Sequence, residues 1–149
     1  MAEIRFYHLQ SQSIDVALPK LAELVLKSGN KGLIKVADKN TAKQLDKALW
    51  IYSPESFLPH DMEGSKYPAE QELFITSQEE NPADAKMALF VNCEKLEDLS
   101  SFDRVLYMFE GKLDEIISTA RTDYKNYKDQ GHEMSYWQQS DHGRWEQKA

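Results

Sequence analysis

The sequence predicts an α/β fold of three layers, in which a mostly parallel central sheet is flanked by helices. Three observations carry this reading. The first fifty residues alternate strand and helix patterns; residues 87–91 and 104–109 are largely continuous apolar runs, as expected of strands covered on both faces by helices; and 149 residues, 41% apolar and 11% aromatic, suffice for one continuous core.

Taken in order, Ile4, Phe6 and Leu9 among polar neighbours mark a first strand over residues 3–9. A helix over about 16–28 follows, with Leu18, Leu21, Leu24, Val25 and Leu26 apolar and Pro19 expected in its first turn, where proline is tolerated. Ser28-Gly29-Asn30-Lys31-Gly32 ends it, and Leu33-Ile34-Lys35-Val36 is a short buried strand. The next helix is expected over about 41–50 with Asn40 as its N-cap. Residues 73–76, 87–91 and 104–109 supply three more strands. Gly111 closes the last of them, a long helix spans about 112–130, and residues 134–145 form an aromatic segment expected to be helical in part. No repeat, low-complexity tract or linker interrupts the chain, so residues 1–149 are expected to form a single domain.

The net charge of −7, from 18 basic and 25 acidic side chains, sets the whole surface against a phosphate backbone. Contact with nucleic acid would need a segregated basic patch or a protein intermediary. No apolar run approaches the roughly 20 residues that cross a bilayer, and Met1-Ala2-Glu3-Ile4-Arg5 has no charged segment followed by an apolar one. A cytoplasmic location is expected, with no membrane association. Cys93, the single cysteine, cannot form an internal disulfide and reads as a buried structural thiol.

Sheets of this kind bind nucleotides through glycines in the first strand-to-helix turn. Here that turn is Leu9-Gln10-Ser11-Gln12-Ser13, without glycine or lysine, and neither G-x-G-x-x-G nor a P-loop occurs. The expectation is a Rossmann-like scaffold without a cofactor. His8, His60, His132 and His142 are scattered without metal-ligand spacing. Glu79-Glu80 reads as a solvated turn, and no Ser, His and acid grouping resembles a nucleophile elbow. Nothing in the sequence asks for an enzyme.

Two features remain. On the long helix, Leu113, Ile116, Ile117, Ala120, Tyr124 and Tyr127 share a core-directed face at 100° per residue, with Arg121, Lys125 and Lys128 in a stripe along one flank and Asp123 on the other. The stripe is either a solvated face with cations placed favourably near a helix C-terminus or a ridge that holds carboxylates beside an apolar crevice, suited to an acidic disordered tail. The second feature is the stretch after Leu49, where Trp50, Tyr52 and Phe57 are expected on an irregular segment that Pro54 and Pro59 stiffen. These rings either close the edge of the core or form a hot spot for a partner.

Three segments carry a resemblance across nearly the whole chain: Phe6-Tyr7-His8-Leu9; Leu45-Asp46-x-Ala48-Leu49-Trp50-x-x-x-Pro54-Glu55-Ser56-Phe57-x-Pro59-His60; and Ala120-Arg121-x-x-Tyr124-Lys125-x-Tyr127. The sequence resembles the chi subunit of bacterial DNA polymerase III, an accessory protein of the clamp-loader complex. The resemblance implies a non-catalytic adaptor at the replisome, touching DNA only indirectly. It implies that Arg121, Tyr124 and Lys125, with Lys128 beside them, meet the acidic, apolar-ended C-terminal tail of single-stranded DNA-binding protein. It also implies that Trp50 and Phe57, with Tyr52, hold the psi subunit or a helicase-like repair protein that competes for the same face. Residues 62–99 depart from the family pattern, and residues 132–149 form a divergent extension. Two readings from other classes are a nucleotide-dependent enzyme, which lacks its phosphate loop, and a direct single-strand binder that stacks bases on the tyrosines beside Arg121.

Overall fold

The computed structural model describes residues 2–52, 60–142 and 144–149. Its strands are β1 (Glu3–Leu9), β2 (Gly32–Lys35), β3 (Asp61–Met62), β4 (Leu73–Thr76), β5 (Met87–Val91), β6 (Arg104–Glu110), β7 (Glu133–Gln139) and β8 (Trp145–Gln147). They form one sheet in the order β3-β4-β2-β5-β6-β1-β7-β8. Every pairing is parallel except β7 with β8. Parallel neighbours cannot be joined by tight hairpins. The helices supply the crossovers: α1 (Ile14–Lys27) joins β1 to β2, α2 (Lys39–Ile51) follows β2, and α3 (Asp114–Asp129) joins β6 to β7. The expected three-layer, mostly parallel α/β architecture is what the chain adopts.

Because successive strand residues point to opposite faces, β1 feeds two cores at once. Tyr7 and Leu9 join Leu18, Ala22 and Val25 of α1 and Leu45 and Leu49 of α2 on one face. Ile4 and Phe6 join Tyr107 of β6 and Ala120 and Tyr127 of α3 on the other. The Phe6 and Tyr107 rings stack at 4.1 Å. The two helical layers therefore lie back to back across the sheet, and any two sites built on α2 and on α3 are separated by it.

Several local expectations are corrected. Helix α1 starts at Ile14, so Pro19 lies inside the helix rather than in its first turn. Burial of Ile14, Ala17, Leu18 and Pro19 offsets the lost hydrogen bond. Helix α2 is capped by Asp38, not Asn40, because the Asp38 carboxylate accepts from the Thr41 N–H three residues on, at 2.8 Å. That backbone hydrogen bond holds the Asp38 carboxyl below its ordinary value. The same helix runs to Ile51, so Trp50 is still helical rather than part of an irregular loop.

The described residues of 134–145 contain no helix. Six residues of β7 pair in parallel with β1, and β8 folds back on β7. Tyr7 explains part of this preference, since it stacks with Trp137 at 6.5 Å and meets Trp145 edge-on at 5.0 Å. Glu79 and Glu80 are engaged rather than only solvated: Glu79 accepts backbone N–H groups of Glu97 and Asp98, and Glu80 accepts the Thr76 hydroxyl. Cys93 is half-buried, with its thiol directed to the Ile116 carbonyl at 3.5 Å. Among the described residues, no helix is long and apolar enough to cross a membrane.

Candidate functional site

The charged stripe sits on the outer flank of α3. Arg121, Lys125 and Lys128 are all exposed, and none is paired with a carboxylate among the described residues. Beside them Tyr124 is half-buried, edge-on to Phe6 at 5.2 Å and to Tyr136 of β7 at 6.0 Å. Tyr136 in turn shares a hydrogen bond of 2.8 Å with His8 Nδ1, and the His8 ring stacks on Phe109 at 4.7 Å. The three cations thus border a floor of aromatic rings rather than an open polar surface.

Arg121 is close enough to act on that floor electrostatically. Burial, and after it the Arg121 charge, pushes His8 below its ordinary pKa. Burial raises the Tyr136 hydroxyl, with Arg121 pulling the other way. His8 Nε2 is buried without a hydrogen-bond partner and faces the backbone of Gly111, where a Cβ would lie only 1.8 Å away. Glycine is required there for close approach. A guanidinium beside this surface offers bidentate donors to a carboxylate, and the rings beside it offer apolar contact.

The face of α3 differs from the wheel in two places. Leu113 is 60% exposed and precedes the helix, whereas Asp123, expected on the far flank, is 6% exposed. Its carboxylate accepts the Tyr107 hydroxyl and pairs with Lys95 Nζ at 3.2 Å. A buried carboxylate is tolerated only with such partners. A lysine and a tyrosine on other elements carry no local pattern pointing to Asp123, so the wheel had no means of finding it.

On the opposite face of the sheet, Trp50 is 57% and Ile51 71% exposed at the end of α2. Trp50 is therefore not a core residue. Its ring lies against that of His60 at 4.9 Å, and His60 Nε2 is 3.2 Å from both the Asp46 carboxylate and the Asp46 carbonyl. Tyr52 is partly buried against the α1/α2 core. Between the two helices runs a mainly apolar groove of about 650 Å³, walled by Val16, Ala48, Ile51 and Tyr52 with Lys20 and Lys47 at its rim. Phe57, with Pro54 and Pro59, lies outside the described residues.

Where β1 and β6 send their connections to opposite faces, α/β sheets commonly open a ligand crevice. Here the small cavity at the N-terminus of α1 is lined by Ser13, Asp15, Asn92 and Glu110 among others. Two carboxylates there oppose a phosphate.

Comparison with known proteins places the chain among relatives. The model of the family described as DNA polymerase III chi subunit, HolC, matches residues 1–135. A probable DNA polymerase III subunit chi from Rickettsia prowazekii is 29% identical over 92 residues, 62% of this chain and 56% of that protein. The chain thus spans little more than half the length of that relative. The DNA polymerase III subunit chi of Haemophilus influenzae is 28% identical over 118 residues, 77% of this chain and 80% of that protein. With six of the eight strands and all three helices inside the match, this chain belongs to the DNA polymerase III chi subunit family, a replication component and accessory subunit of the polymerase.

Proposed function

We propose that the protein is a non-catalytic adaptor that uses its two faces for two partners, linking the clamp-loader complex to single-stranded DNA-binding protein. The α3 face takes the acidic, apolar-ended C-terminal tail of single-stranded DNA-binding protein. Arg121 is the main charge clamp, Lys125 and Lys128 extend it, and Tyr124 offers the apolar contact. The observation that carries this reading is a line of three cations, unpaired among the described residues, beside half-buried Tyr124 on a chain whose net charge is −7. Locally grouped cations on an acidic protein favour a short anionic segment over a long polyanion.

The Trp50 face takes the psi subunit, or a helicase-like repair protein in its place. An exposed indole in the last turn of α2, with an apolar groove on another side of the same helix, suits burial of a folded partner. Phe57 and Tyr52 belong to the same site by family resemblance.

The test is titration of a tail peptide against Arg121→Ala. A charge-assisted contact at an exposed site is worth about 1–2 kcal/mol, so affinity should fall about 5- to 30-fold. Raising salt should weaken the parent more than the variant. Unchanged affinity with the fold intact refutes the site. A bare oligonucleotide should give no electrophoretic shift at concentrations where the tail peptide saturates, which separates the adaptor from a direct single-strand binder.

A further inference from the structure

A third cavity, of about 700 Å³, opens on the flank of α3 away from Arg121, against residues 95–103. Its helical wall is Asp123, Asn126, Tyr127 and Gln130, a stripe at three- and four-residue spacing, and the facing segment contributes Glu97 and Asp103. Asp123 is already held by Lys95 and the Tyr107 hydroxyl. Glu97 and Asp103 have no cation of their own among the described residues. The cavity is therefore net negative, whereas the other flank of the same helix is net positive.

Tyr127 makes this more than a group of carboxylates. It is only 7% exposed, and its hydroxyl is buried with no hydrogen-bond partner. Buried hydroxyls seldom remain unmatched. Burial, and then the charges of Asp123 and Glu97, raises its pKa, so both carboxylates bear on the hydroxyl from within the cavity lining. The His132 ring stands edge-on to the Tyr127 ring at 5.8 Å, and Leu96 and Phe102 supply apolar wall.

We propose that this cavity receives the guanidinium of an arginine side chain presented by a protein partner. The planar cation lies flat over the His132 ring, which stands at 81° to that of Tyr127, so the edge of the cation meets Tyr127. Its N–H donors go to Glu97, Asp103 and the unmatched Tyr127 oxygen, while its methylenes cover Leu96 and Phe102. A lysine ammonium would satisfy the charge but neither the stacking nor the several donors. Helix α3 would thereby read opposite charges on its two flanks. This is a third surface, independent of the adaptor reading.

The test is a titration of the full chain with N-acetyl-arginine methylamide, followed by amide chemical shifts, with the lysine and norleucine analogues in parallel. Arginine should saturate with shifts confined to residues 95–103 and 123–132, and more tightly than lysine. Tyr127→Phe, which keeps the ring, and the surface variant Glu97→Gln should each weaken arginine about fivefold or more. Arg121→Ala should leave the titration unchanged. Non-saturating shifts, equal response to norleucine or lysine, or indifference to both cavity variants would overturn the proposal.

Discussion

Replacing Gly111 by alanine tests the packing beneath the α3 face. A Cβ at this position would lie 1.8 Å from His8 Nε2 and 2.5 Å from Cδ2, distances no real Cβ tolerates. His8 cannot retreat freely, because it stacks on Phe109 and shares a hydrogen bond with the Tyr136 hydroxyl. Overpacking of this kind costs about 1–3 kcal/mol, and surrender of the Tyr136 bond adds about 1 kcal/mol. The expected loss is about 2–4 kcal/mol. At about 2–4 °C per kcal/mol for a chain of this size, Tm should fall by about 4–16 °C in thermal unfolding followed by circular dichroism. The same substitution in a His8→Ala background removes the obstacle and should cost less than about 0.5 kcal/mol more than His8→Ala alone. An unchanged Tm for Gly111→Ala, or an equal loss in both backgrounds, would show that His8 does not occupy this space.

Trp50→Ala, at an exposed position, should change stability by no more than about 0.5 kcal/mol, abolish capture of the polymerase-side or helicase partner in a pull-down, and leave tail-peptide affinity untouched. Asp123→Ala strips partners from Lys95 and the Tyr107 hydroxyl and should cost about 3 kcal/mol in urea unfolding, with Asp123→Asn, which keeps an acceptor, losing less. His8 has its folded pKa held below the ordinary 6.5. Above that value both states are neutral and pH is without effect through this group. As pH falls below it the unfolded chain takes up a proton that the folded one resists, so stability should decline. His8→Gln should remove that part of the decline when unfolding is compared at about pH 7.5 and 5.5.

How much of this was legible depended on whether a residue's role was local. Met87–Val91 and most of Arg104–Glu110 announced themselves as buried strands because both faces are covered, leaving an apolar run that needs no partner to be recognised. The penultimate strand Glu133–Gln139 did not: half-exposed, with Ser135, Gln138 and Gln139 among its aromatics, it owes its form to pairing with β1 more than a hundred residues earlier. Pro19 misled because the burial of Ile14 extends α1 past the proline. The Arg121, Lys125 and Lys128 stripe was readable from spacing alone. The role of Gly111 was not, since it depends on where His8 lies in space. The exposed Trp50 could be named from its sequence neighbours, but only the end of α2 shows that it leaves the core.

The sheet ends in β3, of two residues, on one side and β8, of three, on the other. Each margin thus offers only a few free backbone donors and acceptors, too short a template for another chain to add strands. An adaptor of the kind proposed must be adhesive without becoming self-adhesive. Here the backbone is kept out of that traffic, so association is left to side chains, whose chemistry can discriminate between a foreign surface and a second copy of the same molecule.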